Sequence, residues 1–392
     1  MISKNQNVRI ALIGNPDTAW IRKIYGFFRN QGFTVHVFSI TNSKEEEICK
    51  DRFWTDCSVI LSSRCPVFHT MITLFRLWKE VRRFKPDVIW GHYVTDLGFY
   101  AMLLPIKAHK FLSTWGSDIN LKGGIRSEIK RFAALNIAKR ILVSWTDPDF
   151  LNRVRRYCFN KRKVAKVHWG GISLDTFYPL SEGLKKKIRD KYSIPSNAFV
   201  ILSLRHVKRA YNIDVIVKAY LSLKSKIENL FLILICGFYE ENLVAEIKKE
   251  VRGDRHVLLF EEFLEPEELN ELYNIADVGI SILNQDMLGA PILELMATGG
   301  IPLLTPLPSY RNFFADKPAD VFYVHDLTPE ALKETILHVY WQIKEGKVSI
   351  PSSSNISIAR GIDFEVQMRK VASMIKRMVR KQEDTSHEKR SL

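Results

Sequence analysis

The run LFLILICG, residues 230–237, has no charged side chain and ends in a glycine. Its length and its unbroken apolar character predict a strand that is buried on both faces. FVILSLR (199–205) precedes it and VLLFEEF (257–263) follows it, with helical patterns in between. Buried strands that are separated by helical crossovers indicate a parallel sheet with helices on both of its faces.

The first half of the chain repeats this pattern. A helical pattern at 20–32 lies among strand-like runs, namely VRIALIG (8–14), TVHVFSI (34–40), DVIWGHY (87–93), KFLSTWG (110–116) and RILVSW (140–145). The segment 166–183, which contains Gly, Ser and Pro, then interrupts the pattern and is typical of an interdomain linker. The sequence therefore predicts an α/β protein with two Rossmann-like domains, whose parallel sheets face each other across a cleft.

The length of 392 residues agrees with two domains. We expect a basic N-terminal domain at 1–179 and a second domain at 180–363. The last segment, 364–392, is expected to form a helix that packs back on the N-terminal domain and ends in a charged tail.

The composition excludes several classes of protein. Hydrophobic residues make up 46% of the chain and charged residues 26%, which argues against general disorder. No apolar run approaches the roughly 20 residues that a membrane span needs, and the N-terminus lacks the apolar region of a signal peptide. Five scattered cysteines without a CxxC pair argue against a disulfide framework and against a zinc site. We expect a cytoplasmic protein, either soluble or peripheral at the inner face of the membrane.

The net charge of +15 is distributed unevenly. Residues 1–180 contain 29 Lys and Arg and 14 Asp and Glu, whereas residues 181–392 contain 29 of each kind. Solvated helix faces would explain the excess, as would an anionic membrane surface, a phosphorylated substrate or nucleic acid. No nucleic-acid-binding motif accompanies the charge, so a nucleic-acid partner is the weakest of these interpretations.

The segment NQDMLGAPILELMATGGIPLLTP, residues 284–306, places two acids, Asp286 and Glu294, in apolar surroundings. Its pattern predicts a loop, a helix that begins near Pro291, and a Gly-Gly turn before a short strand. The small residues before this proline would leave backbone N–H groups exposed, which suits a phosphate. The acids could instead be an ordinary loop aspartate and a first-turn glutamate that favours the helix dipole.

Other candidate residues follow predicted strands. Arg205 ends a strand, where a cation can neutralise a diphosphate, unless it is an ordinary surface arginine. Gly14 follows the first strand, although the GxGxxG fingerprint of nicotinamide-binding folds is absent. His92 could bond a sugar hydroxyl or be structural, and Asp118 could cap a helix or face the cleft. No HExxH, GxSxG or Walker A motif supports metal catalysis or a serine nucleophile.

The order of these segments resembles that of retaining GT-B glycosyltransferases, the large group 1 family that includes bacterial mannosyl-, glucosyl- and N-acetylglucosaminyltransferases. The resemblance runs from about residue 8 to residue 380. It is carried by seven blocks: PDVIWGHY (86–93), STWGSD (113–118), KVHWGGISLDTFYP (166–179), SLRHVKRAYNIDVIVKAY (203–220), LILICG (232–237), LYNIADVGISI (272–282) and DMLGAPILELMATGGIP (286–302). The last block is similar to the family's acid-x7-acid signature, with Asp in place of the more usual Glu at its first position.

The resemblance implies roles for matching positions. Glu294 is expected to bind the ribose of a donor nucleotide, and Asp286 the hydroxyls of the donor sugar. Arg205 matches the arginine that stabilises the departing diphosphate. The other positions expected to bind the donor are Gly14, Asn15, Arg209, Leu288, Gly289, Ala290 and Pro291. Those expected to take part in catalysis are Arg205, Lys208, Asp286, Asp118 and His92.

The sequence departs from the family at three places. Tyr211 falls near the position of the family's partner lysine, for which Lys208 or Arg209 is the expected substitute. Trp115 stands where many relatives have histidine, although a tryptophan version also occurs. HWGGIS (168–173) replaces the usual Pro-Asn-Gly-Val-Asp. The last two departures leave the acceptor-side chemistry open.

The resemblance implies the transfer of a sugar from a nucleotide sugar to a glycan or lipid-linked acceptor, with retention of configuration, in cell-envelope glycan synthesis. It implies no cofactor and no obligatory metal. The positive N-terminal half would handle the acceptor, which suits a polyprenyl-diphosphate glycan at an anionic membrane. Two alternatives are a nucleotide-sugar epimerase of the same fold and a non-catalytic partner of another transferase.

Overall fold

The computed structural model describes residues 7–41, 55–62, 69–120, 123–143, 148–168 and 171–388. The chain divides into two compact units: unit 1 is Met1–Gly170 with Glu365–Leu392, and unit 2 is Gly171–Phe364. The division falls inside the segment 166–183 that was expected to be a linker. Three parts of the predictions lie outside the described residues: residues 144–145 of the strand run RILVSW, residues 169–170 of the linker and residues 389–392 of the charged tail.

Unit 1 contains a parallel sheet of seven strands in the order β3-β2-β1-β4-β5-β6-β7. The strands are β1 (Arg9–Ile13), β2 (Thr34–Thr41), β3 (Cys57–Leu61), β4 (Val88–His92), β5 (His109–Ser113), β6 (Arg140–Val143) and β7 (Val164–Lys166). The order changes direction between β1 and β4. The loops that follow these two strands therefore diverge, and such a switch point is where open α/β sheets bind ligands.

The helices of unit 1 are α1 (Ala19–Asn30), α2 (His69–Phe84), α3 (Leu97–Leu103), α4 (Ser117–Asn120), α5 (Ile125–Ile137), α6 (Pro148–Tyr157) and α15 (Phe364–Glu388). α15 packs against unit 1, where the Lys376 ammonium lies 5.1 Å from the ring centre of Phe33. The Gln367 side chain also accepts the His168 N–H at 3.4 Å. α15 continues to Glu388, past the point where the sequence predicted a tail to begin.

The core of unit 1 is built around β4, all of whose residues are buried. Trp90 is fully buried, and its indole N–H donates to the Ser113 hydroxyl of the neighbouring strand at 2.9 Å. Gly91 allows α3 to approach this strand closely, because an added Cβ would lie 2.7 Å from the Cβ of Ala101. An apolar strand with one small residue thus fixes the sheet to its covering helix.

Two strands of unit 1, β3 and β7, were not predicted. Each forms an edge of the sheet, and most of their residues are only partly buried. An edge strand has one pairing neighbour and an interrupted apolar pattern, so its sequence signal is weak. Cys57, at the start of β3, is disulfide-bonded, whereas the sequence had favoured a chain without disulfides. Cys158 and Cys236 are free and buried.

Unit 2 contains a parallel sheet of six strands in the order β10-β9-β8-β11-β12-β13. The strands are β8 (Phe199–Ser203), β9 (Leu230–Ile235), β10 (Val257–Phe260), β11 (Val278–Ser281), β12 (Ile301–Leu304) and β13 (Phe322–Tyr323). Every residue of β9 is buried. The prediction of a doubly covered central strand for LFLILICG is confirmed.

The helices of unit 2 are α7 (Glu182–Lys191), α8 (Ile213–Leu223), α9 (Glu241–Glu250), α10 (Pro266–Ile275), α11 (Ala290–Thr298), α12 (Pro308–Phe314), α13 (Pro329–Lys344) and α14 (Ser353–Arg360). The inward faces of α8, α9 and α13 share one apolar core with the sheet. Among the described residues of both units, no helix combines the length and the apolar character that a membrane span requires. The two parallel sheets confirm the predicted fold class, and the cleft between the domains stays a prediction.

Candidate active site

The start of α11 is free of side-chain capping. Gly289 is the residue before the helix, and it has no side chain that could accept from the first N–H groups. Leu288 has a φ of 65°, which is unusual for a residue with a branched side chain. Pro291 lies in the first turn, as predicted. The alternative interpretation of Glu294 as a first-turn acid does not hold, because α11 begins at Ala290 and its first turn contains no acid.

Arg205 lies at the carboxyl end of the unit 2 sheet, just after β8. Its Nε–H donates to the hydroxyl of Ser281, which ends the neighbouring strand β11, at 2.9 Å. An Nη atom donates to the carboxylate of Asp286, and both partners of this ion pair are largely buried. Burial opposes the charge of the guanidinium, but Asp286 and Tyr310 outweigh it and raise the pKa of Arg205 above its usual value.

Asp286 is held by two further donors besides the arginine. The Tyr310 hydroxyl donates to its Oδ2 atom at 2.6 Å, and the Gly289 N–H donates to the same atom at 3.1 Å. The Ser309 hydroxyl donates to its backbone carbonyl at 2.7 Å. Burial, followed by the Asp286 charge, raises the pKa of the fully buried Tyr310, which therefore stays protonated and acts as a donor. The carboxylate is thus fixed in one orientation.

Gly289 allows the cation to lie against the start of α11. A Cβ at this position would lie 2.6 and 2.7 Å from the two Nη atoms of Arg205, closer than side chains approach. A fixed guanidinium beside an uncapped helix N-terminus combines a full positive charge with the positive end of a helix dipole. This arrangement suits a diphosphate.

Glu294 lies on the buried side of α11. The Tyr273 hydroxyl of α10 donates to its Oε2 atom at 3.4 Å. Burial and the nearby Glu294 charge raise the pKa of Tyr273 well above its usual value, so this hydroxyl stays protonated as well. The two acids of the 284–306 segment therefore each have a tyrosine partner from another helix.

The basic loop after Arg205 separates its residues. Arg209 is exposed and donates to both oxygens of Glu246 on α9, at 2.6 and 2.7 Å. Lys208 is half-buried before a short 3-10 turn, Arg209–Tyr211. The Arg205 guanidinium lies 6.0 Å from the ring centre of Tyr211. Tyr211, which falls near the place of the family's lysine, is therefore next to the Arg205–Asp286 pair, whereas Arg209 is engaged elsewhere.

Two exposed phenylalanines extend the same edge of the sheet. Phe238 and Phe263 follow β9 and β10, and their ring centres are 6.0 Å apart. The ring of His206, the residue after Arg205, lies 5.6 Å from that of Phe238 in an edge-to-face arrangement. Burial lowers the pKa of His206, and the charges of Lys208 and Arg205 lower it further. A hydrogen bond to the Cys236 backbone acts in the opposite direction. The cluster is therefore an aromatic surface beside the cation.

The corresponding edge of unit 1 is aromatic around a buried histidine. His92 ends β4, is buried, stacks on Trp90 with ring centres 5.3 Å apart, and meets Trp115 edge-on at 6.0 Å. Burial lowers the pKa of His92 to about 3. Gly14 lies beside it, and an added Cβ would lie 3.7 Å from the Cβ of His92. Asn15 forms a turn, in which its side-chain oxygen accepts the Asp17 N–H at 3.0 Å.

Asp118 turns its carboxylate toward the backbone. Its oxygens accept the N–H groups of Val94, Trp115 and Gly116, each at 2.9 Å, so the side chain joins the loops after β4 and β5. Burial raises the pKa of Asp118 to about 6, against these three bonds and the charge of Arg131. These bonds give Asp118 a loop-positioning role that differs from both roles considered for it, helix capping and facing the cleft.

The structure thus brings Arg205, Asp286 and Gly289 together, and it adds residues that sequence reasoning missed. Ser281 and Tyr310 contact the ion pair directly. Ser281 could have been found, because it is a polar residue inside the apolar run DVGISIL. Tyr310 has no such signal, since it comes from a separate helix. No group of three or more potential metal ligands (His, Cys, Asp or Glu) occurs in the described part of the chain.

Comparison with known families agrees with this geometry. Residues 9–144 match the family described as glycosyl transferase 4-like, and residues 185–342 match the glycosyl transferases group 1. EpsD of Bacillus subtilis (strain 168), described as a candidate glycosyltransferase, is 23% identical over 154 residues. That match covers 39% of this chain and 40% of EpsD.

Solved structures resemble the whole chain. A glycosyltransferase from Rickettsia africae ESF-5 has a TM-score of 0.72 at 15% identity, covering 96% of this chain and 99% of the other. Anabaena Alr3699/HepE in complex with UDP-glucose has a TM-score of 0.71 at 12% identity, covering 94% and 99%. The fold is therefore GT-B. The two family matches, one in each unit, support a group 1 glycosyltransferase.

Proposed function

We propose that this chain transfers a sugar from a nucleotide-sugar donor to a glycan or lipid-linked acceptor with retention of configuration, in cell-envelope glycan synthesis. One observation carries the proposal: the Arg205 guanidinium lies against Gly289, at the uncapped start of α11. Cleavage of the anomeric C–O bond places negative charge on the departing diphosphate. A preorganised cation and helix N–H groups stabilise that charge without reorganising in the transition state.

In this proposal the donor lies along the carboxyl edge of the unit 2 sheet. The diphosphate contacts Arg205 and the α11 start, the sugar hydroxyls contact Asp286, and the ribose contacts Glu294. The donor base stacks on Phe238 or Phe263. These rings lie near the cation because Phe238 contacts His206, which directly follows Arg205 in the chain. The face of an exposed aromatic ring suits stacking by a nucleobase.

Unit 1 is proposed to bind the acceptor. Its aromatic edge offers stacking surfaces at Trp90, His92 and Trp115, which suit a sugar ring. The positive charge of unit 1 lies elsewhere and suits an acceptor that carries a diphosphate or resides at an anionic membrane. The named alternative, an epimerase of the same fold, would isomerise the donor without an acceptor.

The experiment is a screen of UDP-, GDP- and ADP-sugars by thermal shift, followed by NMR analysis of products with and without lipid-linked acceptors. We expect one donor class to raise the melting temperature and its sugar to be transferred with unchanged anomeric configuration. Isomerised free donor would identify an epimerase. Binding without any turnover would identify a non-catalytic partner.

The same assay with EDTA tests the role of metal. We expect transfer to continue within about twofold of its original rate, because Arg205 and the α11 start supply the positive charge for the diphosphate. A loss that added Mg²⁺ or Mn²⁺ restores would show that a cation is required.

A further inference from the structure

α5 carries apolar side chains that face solvent. Ile125, Ile129 and Phe132 are spaced four and three residues apart, so they form one stripe along the helix. Ile125 is 78% exposed, Ile129 is 61% exposed, and Phe132 is also exposed. Exposed apolar residues that occur singly are ordinary, but a stripe of large ones marks a surface that contacts something other than water.

Phe159 extends this stripe and is 83% exposed. Its ring centre lies 5.2 Å from that of Phe132, edge to face. The turn that carries it is fixed by Asn136, whose amide nitrogen donates to the Tyr157 carbonyl at 2.8 Å and whose oxygen accepts the Phe159 N–H at 3.0 Å. The phenylalanine is therefore held outward by its backbone. We call the set Ile125, Ile129, Phe132 and Phe159 the α5 face.

The segments that carry the α5 face are rich in positive charge. Residues 123–143 and 159–166 contain a single acid, Glu128, which accepts hydrogen bonds from Arg131 and from Tyr157. The exposed basic residues of these segments are Arg126, Lys139, Lys161, Arg162 and Lys166. An apolar stripe with a basic rim is complementary to an anionic bilayer, whose headgroups attract the cations while the acyl region takes up the apolar groups.

A second stripe lies in the same layer. The connections β3 to β4, β4 to β5 and β5 to β6 run in one direction across the sheet, so the right-handedness of such crossovers places α2, α3 and α5 on one face. α2 exposes Met71 and Phe75, four residues apart, and ends with the exposed Arg82 and Arg83. The outer surface of unit 1 thus has apolar groups and cations on two helices of the same layer.

We propose that unit 1 docks on an anionic lipid bilayer through the α5 face, with the neighbouring α2 stripe in the same plane. This proposal rests on the proposed function, in which the acceptor is linked to a lipid, and it adds which surface of unit 1 faces that lipid. Neither a nucleic acid nor a free phosphate would explain the apolar stripe, since both would contact the cations alone.

The test is flotation of the full chain with vesicles of phosphatidylglycerol and phosphatidylethanolamine, compared with phosphatidylcholine alone. We expect binding to the anionic vesicles that weakens with salt, and little binding to phosphatidylcholine. The double variant Ile129→Ser/Phe159→Ser should bind about 30-fold more weakly, because two large side chains no longer leave water. Trp341→Ser, which removes another exposed large apolar side chain but in unit 2, is the control and should bind as the original chain does.

A charge variant separates the two contributions. Lys161→Glu/Arg162→Glu should reduce binding to anionic vesicles at least tenfold, whereas Lys333→Glu/Lys347→Glu in unit 2 should not. Equal binding of the serine double variant and the original chain would overturn the proposal, as would equal binding to both vesicle types. If the serine double variant differs from the original chain in solution mass by light scattering and binds vesicles equally well, the α5 face is a contact between copies of the chain.

Two further measurements keep the outcomes distinct. Thermal unfolding of the serine double variant should match that of the original chain, because both side chains are exposed. Donor hydrolysis in the absence of vesicles should be retained, since the donor site lies in unit 2. If the serine double variant loses vesicle binding and keeps hydrolysis, the α5 face is needed for docking and not for the donor reaction. If the original chain does not hydrolyse any donor, the proposed function fails and the docking proposal is unaffected.

Discussion

The carboxyl edges of the two sheets are built from the same kind of strand and have opposite chemistry. In unit 2 the edge holds a buried ion pair, Arg205 and Asp286, with Tyr310 as a third partner. In unit 1 it holds His92 against Trp90, with burial keeping the pKa of the imidazole low. The Arg205 guanidinium can stabilise a developing negative charge, whereas a neutral His92 imidazole carries no positive charge with which to do so. The comparison indicates that a shared fold sets where ligands bind, while a few side chains after the strands decide which ligands.

The largest expected effect comes from removing the cation of unit 2. Arg205→Ala should lower kcat/KM for sugar transfer by about 100- to 1000-fold, since the departing diphosphate loses its fixed positive partner. Steady-state kinetics with the donor found in the screen measures this. Lys218→Ala, an exposed lysine of α8 in the same unit, is the control and should change the rate little. If the kcat/KM of Arg205→Ala is within threefold of the original value, the cation at the unit 2 edge does not stabilise the departing diphosphate, and the difference between the two edges has no catalytic meaning.

The second effect concerns stability at the edge of unit 1. Burial lowers the pKa of His92 from 6.5 to about 3, so the unfolded chain binds this proton more readily. The stability that neutral His92 contributes is present above pH 6.5 and is lost as the pH falls toward 3. Between pH 7 and pH 5, the free energy of unfolding should therefore fall by about 2 kcal/mol less in His92→Phe than in the original chain.

Urea unfolding at both pH values, followed by tryptophan fluorescence, measures this difference. His338→Phe, an exposed position of α13, serves as the control. The same pH dependence in His92→Phe and the original chain would show that burial does not keep the His92 imidazole neutral.

The third effect tests the aromatic surface of unit 2. Phe238→Ala should weaken nucleoside-diphosphate binding about tenfold, because stacking on a base contributes about 1–3 kcal/mol. Isothermal titration calorimetry with the diphosphate of the identified donor gives the dissociation constant. Trp341→Ala, also exposed but on α13, should bind normally. Unchanged affinity in Phe238→Ala would place the base elsewhere.

The smallest effect concerns the orientation of Asp286. Tyr310→Phe removes one of the donors to its carboxylate, a bond of about 1 kcal/mol, and should lower kcat/KM about fivefold. Ser309→Ala removes a bond to the backbone carbonyl of Asp286 and leaves the carboxylate contacts in place. It should therefore have the weaker effect. Equal losses in both variants would mean that Tyr310 acts on the loop and not on the carboxylate.

The sequence was sufficient to predict the inner strands of the two sheets, but not the edge strands β3 and β7 of unit 1. An unbroken apolar run such as 230–235 has one plausible interpretation, whereas β3 and β7 pair on one side only and carry mixed sequences. The same division holds for the candidate site. Arg205 and Asp286 were found because each lies at the end of an element or in a motif. Tyr310 was missed because its contact with Asp286 joins residues from separate elements, and no local pattern records such a contact.

At two places the structure gives a predicted residue partners that its position in the sequence does not indicate. Arg209 was expected at the phosphate, and it donates to both oxygens of Glu246 on α9. Asp118 was expected in catalysis, but three backbone N–H groups occupy its carboxylate. In each case the deciding partner is distant in the chain or belongs to the backbone. Such partners become visible only once the loops are placed in three dimensions.

The central claim, that the diphosphate site lies at the unit 2 edge, is tested most directly by hydrogen exchange with and without the donor's nucleoside diphosphate. We predict slower exchange of backbone N–H groups at 203–212 and 286–293, and little change at 92–96 and 114–118. Protection confined to the unit 1 segments, or protection of neither edge under saturating ligand, would contradict the account.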